Sequence, residues 1–205
     1  GAAQQQASLV LECLQQNLEQ LRVLADMSAR ADAYALTFVA SGRLRESLER
    51  SCTSQEVATS IAPLPTDGRL RLHVGELRLR LDEVFGMETE GRLAEALALT
   101  TRTVEQAEAT GFGPILAEAL YRRGLIEHQM GDLQAAQQTL ERALTVAEVA
   151  GHDWIIPEIW MAIVGIGAAL ARLAEASRAL DRATAFFARL QRPGARLARL
   201  HSKRA

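Results

Sequence analysis

The features that this sequence lacks set the first limits on its fold. Aromatic residues make up only 4% of the 205 residues, whereas apolar residues make up 48%. A core of sufficient size must therefore be built from Leu, Ala, Val and Ile, which argues against a β-sandwich and favours closely packed helices. The net charge of −2 provides no field that would attract nucleic acid or an anionic membrane. We expect a helical domain without a nucleic-acid partner.

Motifs for catalysis and for metal binding are also missing. The chain has two cysteines but no C-x-x-C pair, so neither a zinc knuckle nor a thioredoxin-like motif is present. No two of its four histidines stand four residues apart, as a helical zinc site would require. The sequence contains no P-loop and no protein-kinase signature, and Gly165-Ile166-Gly167 lacks the third glycine of a dinucleotide fingerprint. We expect no catalytic residue, no cofactor and no metal in this chain.

Long apolar runs are absent as well. The most apolar stretch, residues 155–173, is interrupted by Pro157, Glu158 and Arg172. A membrane-spanning helix needs about 20 largely apolar residues, so we expect no span within these residues. Residues 1–6 are polar and do not predict a signal peptide.

An internal repeat with a fixed period is the most informative feature that is present. Residues 91–96, Gly-Arg-Leu-Ala-Glu-Ala, align with residues 131–136, Gly-Asp-Leu-Gln-Ala-Ala, and with residues 171–176, Ala-Arg-Leu-Ala-Glu-Ala. The spacing is the same both times and needs no gap. Gly111 and Gly151 close the first two units. A fixed period of about 40 residues indicates a stacked array of supersecondary units.

Each unit is predicted to contain two helices, which we call helix A and helix B in chain order. In the middle unit the Gly131-Asp132 pair predicts a turn, because Gly favours a left-handed helix end and Asp caps the following helix. Helix B then has an apolar stripe at i, i+3, i+4 and i+7 spacing. Small residues at Gly124, Ala136 and Ala143 predict a close approach of neighbouring helix axes.

The middle unit resembles the tetratricopeptide repeat almost position by position. The resemblance runs from Ala117-Glu118-Ala119-Leu120-Tyr121-Arg122-Arg123-Gly124 through Gly131-Asp132-Leu133 to Ala136, Leu140 and Ala143. The family's unit is about 34 residues, so each turn between repeats is lengthened here. The flanking units match less well, since Val84 and Val164 stand where the middle unit has Gly124.

The resemblance implies an all-α fold, a right-handed α-α superhelix or tetratricopeptide solenoid. We predict an N-terminal helical cap and Pro-containing linker over residues 1–68 and three repeats over residues 69–196. The repeats are placed at about 77–116, 117–156 and 157–196, and residues 197–205 would begin a fourth, truncated repeat. An end cap is expected because the outermost apolar face of a stack must be covered.

The N-terminal segment has a second resemblance, which rests on the order of its features. Cys13-Leu14 with regularly spaced leucines, then Ala31-Asp32-Ala33, then Cys52 before a Pro-containing linker resembles the region preceding the repeats in large myxobacterial-type serine/threonine kinases. The resemblance implies the regulatory or sensory part of a bacterial kinase. It would lie in the cytoplasm or form the extracytoplasmic region of a membrane-anchored enzyme. Cys13 and Cys52 either form a disulfide within the cap or are two small buried side chains.

In tetratricopeptide arrays the A helices line a concave groove, and this implies a protein or peptide ligand. The matching positions are Arg78, Leu81, Phe85, Glu118, Tyr121, Arg122, Leu125, His128 and Met161. Family members that clamp a terminal carboxylate use cations or amides where Leu81, Tyr121 and Met161 stand, so we expect an apolar or mixed groove. For Leu81 and Met161, packing against a neighbouring helix is an equal alternative.

Two further expectations concern partners. A chain of open-ended repeats could also stack with copies of itself, so a homo-oligomer is the alternative to a scaffold that binds other proteins. The basic C-terminal residues are predicted to be a solvated helix face, since no aromatic residues interleave with them to stack on bases.

Overall fold

The computed structural model describes residues 65–189 and five helical positions nearer the N-terminus, Leu11, Leu14, Leu18, Arg22 and Ala25. In residues 65–189 it contains α-helices and no strands. The helices are α1 (Gly68–Thr89), α2 (Leu93–Thr110), α3 (Gly113–Gln129), α4 (Leu133–Val149), α5 (Ile156–Ala169) and α6 (Leu173–Arg189). Cys13 and Cys52, the remainder of the proposed cap and the predicted start of a fourth repeat lie outside the described residues.

The chain divides into two units, Gly1–Leu79 and Arg80–Ala205, and the division falls within α1. In the first unit, the Asp67 carboxylate accepts a hydrogen bond of 2.7 Å from the backbone N–H of Leu70, which caps the start of α1. Val74, Leu77 and Leu79 on α1 are buried, while the N-terminal Leu11, Leu14 and Leu18 are exposed. The role of the N-terminal segment as a cap stays a prediction.

In the second unit, successive helices pack on one another in chain order. Helix α2 packs on α3, α3 on α4, α4 on α5 and α5 on α6, and α3 also contacts α5. The stripe predicted for α4 faces inward, with Ala136, Leu140, Ala143 and Ala147 fully buried. This alternation of A and B helices in a stack confirms an all-α solenoid for the described part of the chain.

The turn between the A and B helices has the same geometry in all three pairs. The backbone adopts a positive φ at Gly91 (76°), Gly131 (85°) and Ala171 (55°). In the middle pair, the N–H of Gly131 bonds the carbonyl of His128 and the N–H of Asp132 bonds the carbonyl of Glu127, both at 3.0 Å. The other two turns have the same two hydrogen bonds at the equivalent positions of their pairs. Each of the three turns is therefore a Schellman motif.

The predicted close approach of helices at Gly124 is confirmed. A Cβ at Gly124 would lie 2.7 Å from Leu140 Cγ and 2.8 Å from Leu140 Cδ2. The absence of a side chain therefore lets α4 pack directly against the backbone of α3. Asp132 also caps α4 as predicted, because its carboxylate accepts a 3.0 Å hydrogen bond from the N–H of Ala135.

Candidate binding groove

The predicted groove residues lie on three A helices. Arg78, Leu81 and Phe85 are on α1, Met161 is on α5, and α3 carries Glu118, Tyr121, Arg122, Leu125 and His128. Arg78 belongs to the first unit, whereas the other eight belong to the second. Seven of those eight are partly or largely exposed, and Leu81 is buried.

Arg122 joins α3 to α1. Its Nη1 donates a 3.2 Å hydrogen bond to Oε2 of Glu88, and its guanidinium carbon lies 4.9 Å from the centre of the Phe85 ring. Gln129 donates its side-chain N–H to the other oxygen of Glu88. The Phe85 ring is nevertheless 48% exposed. The surface between α1 and α3 therefore holds an exposed aromatic ring beneath a positioned cation.

On the other side of α3 from α1, His128 joins α3 to α5. Its Cε1 lies 3.4 Å from the position that a Cβ at Gly165 would occupy, so the imidazole rests on the glycine of α5. Tyr121 and Leu125, on the same helix, are half-buried. The middle A helix is thus connected to both neighbouring A helices by its own side chains.

Leu81 and Met161, for which groove and packing were equal alternatives, differ in the structure. Leu81 is buried with 7% of its surface exposed, so it contributes to packing rather than to an open surface. Met161 is half-buried on α5 and keeps an accessible part.

A pairing that the sequence reasoning missed joins the second and third helix pairs. His152, in the turn before α5, is buried, and its Nε2 lies 3.1 Å from Oε1 of Glu118 on α3. The His152 ring also stacks on Trp154, with 6.2 Å between ring centres. Glu118 is therefore engaged within the protein, and His152 links the inter-repeat turn to α3.

The missed pairings share one sequence separation that could have revealed them. The pairs Glu88 and Arg122, Glu108 and Arg142, and Glu118 and His152 all have the same separation along the chain. The first two pairs join an acidic residue of one predicted repeat to an arginine of the next, whereas Glu118 and His152 both lie in the predicted repeat 117–156. A search of the sequence for acidic residues that stand 34 positions before an Arg or a His would have found them.

The clearest perturbation of a pKa lies away from the groove. At the first A–B turn, Arg92 donates to Glu95 with Nη2 2.7 Å from Oε2, and this hydrogen bond and the positive charge lower the pKa of the Glu95 carboxyl. Glu95 and Glu90 together raise the pKa of Arg92. Within residues 65–189 and the five N-terminal positions, no three His, Cys, Asp or Glu side chains form a metal-binding group. In the same part of the chain, every helix is too short or too polar to cross a membrane.

Comparison with known families agrees with this architecture. Residues 88–148, which include α2, α3 and all of α4 except Val149, match the family model of the tetratricopeptide repeat. This region is similar to the tetratricopeptide repeat. The match contains the Gly131-Asp132 turn and the Gly124 contact, so it falls on the helices for which the resemblance was most detailed. The searches of curated proteins and of solved structures found no match.

Together, the repeat match and the helices of the described residues make the fold an all-α tetratricopeptide solenoid. Tetratricopeptide repeats are non-catalytic scaffolds that generally mediate protein–protein interactions.

Proposed function

We propose that this chain is a protein-binding scaffold and that a segment of another protein binds to the exposed surface of helices α1, α3 and α5. The observation that carries the proposal is the Phe85 ring, which is 48% exposed and lies under Arg122 on the A-helix surface. Phe and Arg are enriched at protein interfaces relative to the rest of the protein surface, and Arg is also enriched among the residues that dominate binding energy.

The energetic gain from covering Phe85 supports this choice. Fully burying a Phe side chain contributes about 1.5–3 kcal/mol, so covering the exposed half would contribute about 1 kcal/mol. Arg122 is held in place by Glu88 and by the ring, which lowers the conformational entropy that it loses on binding. Tyr121 and Leu125 extend the surface along α3.

The proposal is tested by measuring capture of proteins from the source organism on immobilised protein. Phe85→Ala and Arg122→Gln change the A-helix surface. Val149→Ala and Arg142→Gln are matched controls, because Val149 is an exposed apolar residue of a B helix and Arg142 pairs with Glu108 across two B helices. We expect the first two variants to reduce a captured partner at least fivefold and the controls to retain it. Equal capture by all four variants would contradict the proposal.

We further propose that the scaffold is the regulatory region of a bacterial serine/threonine kinase, lying in the cytoplasm or outside the membrane of an anchored enzyme. The support is the order of the N-terminal features, from Cys13 through Cys52 to the Pro-containing linker and the repeats. Sequencing the gene upstream of residue 1 tests it. An open reading frame that continues into kinase signatures is the expected result, and one without them contradicts the proposal.

Self-association is the second candidate function. It is favoured by exposed apolar side chains near the A–B turns, since Leu173 is 71% exposed and Met130 is 47% exposed. Light scattering over a range of concentrations tests this candidate. A constant monomer mass at high concentration would rule it out, whereas a dimer that is lost in Leu173→Ser would support it.

A further inference from the structure

The charged side chains on the surface of helices α1, α3 and α5 differ in how many of their hydrogen-bonding atoms already bond within the protein. The Glu88 carboxylate, 9% exposed, accepts hydrogen bonds at both oxygens, from Arg122 and from Gln129. The Glu118 carboxylate pairs with His152. Asp82 is exposed, but it already makes an interaction within the protein. These acidic side chains are therefore committed to internal contacts.

Arg122 differs from these acidic side chains in how many of its hydrogen-bonding atoms are in use. A guanidinium has five N–H donors, and among the described residues the hydrogen bond to Glu88 uses only Nη1. The Arg122 side chain remains 24% exposed, more than its partner Glu88. The charge that reaches the surface at this point is consequently positive, and the groups still able to form hydrogen bonds there are donors.

The hydrogen-bond donors of the positively charged Arg122 lie beside the exposed Phe85 ring, since the guanidinium carbon is 4.9 Å from the ring centre. A partner that binds both the Arg122 donors and the Phe85 ring must present a hydrogen-bond acceptor and an apolar group at a similarly short distance from each other. A planar guanidinium binds a carboxylate through two parallel hydrogen bonds, and this pairing is stronger than a bond between neutral groups.

We infer that the ligand of this surface is a protein segment with an Asp or Glu close in sequence to a large apolar residue. The carboxylate would bind the free edge of Arg122, and the apolar side chain would cover the exposed part of Phe85. In an extended segment the two residues would be two positions apart, and in a helix they would be three or four apart. This inference rests on the proposed function and specifies its partner.

The experiment uses the full chain as bait for a display library of random 12-residue peptides, followed by affinity measurements on the selected peptides. The wild-type chain is expected to select peptides with an acidic residue within four positions of Leu, Phe, Tyr or Trp. Fluorescence polarisation should then show that Arg122→Gln weakens binding at least tenfold, whereas Arg142→Gln changes it less than twofold. Arg142 is the matched control because it also pairs with a glutamate of the preceding repeat, on helices outside the groove.

A double-mutant cycle separates a direct contact from a change in folding. Replacing the acidic residue of a selected peptide by its amide should weaken binding to the wild-type chain about tenfold and leave binding to Arg122→Gln unchanged. Because the peptide change needs no variant of the chain, this part of the test holds even if Arg122→Gln is poorly folded. Circular dichroism and thermal midpoints of both Arg variants check their folding.

The outcomes distinguish failure of the inference from failure of the proposed function. Selected peptides without acidic enrichment, or an amide peptide that binds equally well, overturn the inference and leave the scaffold proposal in place. A failure to select any peptide, together with a dimer that Arg122→Gln abolishes, identifies a second copy as the occupant and overturns the inference. If neither peptides nor a dimer are found, both proposals fail.

Discussion

The second and third helix pairs share a sequence register, but they are held together differently. In α3 and α4, Gly124 lies tightly against Leu140, while in α5 and α6 Gly167 lies tightly against Ala176. At the position of Gly124, the third pair has the buried Val164. The turns differ too, since Gly131-Asp132 is replaced by Ala171-Arg172. Repeats can therefore preserve their helix order while changing the residues at which the helices touch.

The largest expected effect comes from adding a side chain at Gly124 in the second pair. Gly124→Val should lower the free energy of unfolding by about 3 kcal/mol, because its first added atom would lie 2.7 Å from Leu140 Cγ in a tightly packed interior. Urea unfolding followed by circular dichroism measures this change.

Gly165→Ala is the control for that substitution. Among the described residues, its Cβ would meet only His128 Cε1, at 3.4 Å, so the gain in helix propensity should raise stability by about 0.5–1 kcal/mol. Equal stability changes at Gly124 and Gly165 would show that packing does not distinguish the two helix pairs.

The next effect concerns the third A–B turn. Ala171 has a φ of 55°, a conformation that costs a residue with a Cβ about 1–2 kcal/mol and costs glycine little. Ala171→Gly should therefore stabilise the chain by about 0.5–1 kcal/mol, after the greater freedom of glycine in the unfolded chain is subtracted. The reverse change at the second turn, Gly131→Ala, should destabilise it by about 1 kcal/mol. Thermal unfolding of both variants would contradict this reasoning if the two shifts had the same sign.

A loss of similar size is expected from the cap of α4. Asp132→Ala removes the acceptor of the Ala135 N–H and should cost about 1 kcal/mol. Asp132→Asn keeps an oxygen that can accept the same bond and should cost much less. Chemical denaturation of the two variants measures the difference, and similar losses would mean that the charge of Asp132 matters more than its hydrogen bond.

The smallest effect is electrostatic and lies at the first turn. In the folded chain, Arg92 lowers the pKa of Glu95, so this pair stabilises the fold above the ordinary pKa of glutamate. That contribution is lost as the pH falls through the lowered pKa. Arg92→Ala should raise the pKa of Glu95 toward its ordinary value, as measured by NMR titration of the carboxyl carbon. Arg102→Ala, an exposed change on the same helix, should leave the pKa of Glu95 unaltered, and an equal rise there would refute the assignment to Arg92.

The accuracy of the sequence-based predictions depended on the distance over which each feature acts. The Gly131-Asp132 turn, the Asp132 cap and the stripe of α4 were correctly predicted because they depend on residues within a few positions of one another. The small side chain of Gly124 was also recognised, since its position within the repeat is a family feature.

The groove could be predicted only as a set of candidate positions. Leu81 and Phe85 are one helical turn apart on α1, but Leu81 is buried and Phe85 is 48% exposed. Periodicity does not distinguish them, because burial depends on how far α1 is rotated toward its neighbours. The pairing of Glu118 with His152 likewise depends on the path of the turn before α5.

By itself, therefore, the sequence determined the register of the repeat, the helical pairs and the positions of their turns. These features follow from local backbone preferences and from the period of apolar residues. The tertiary structure alone decided which side chains of the A helices pack inward, which acids are already paired, and that Arg122 lies over an exposed Phe85. These outcomes depend on the separations and rotations of whole helices, which small residues such as Gly124 control through contacts between distant parts of the chain.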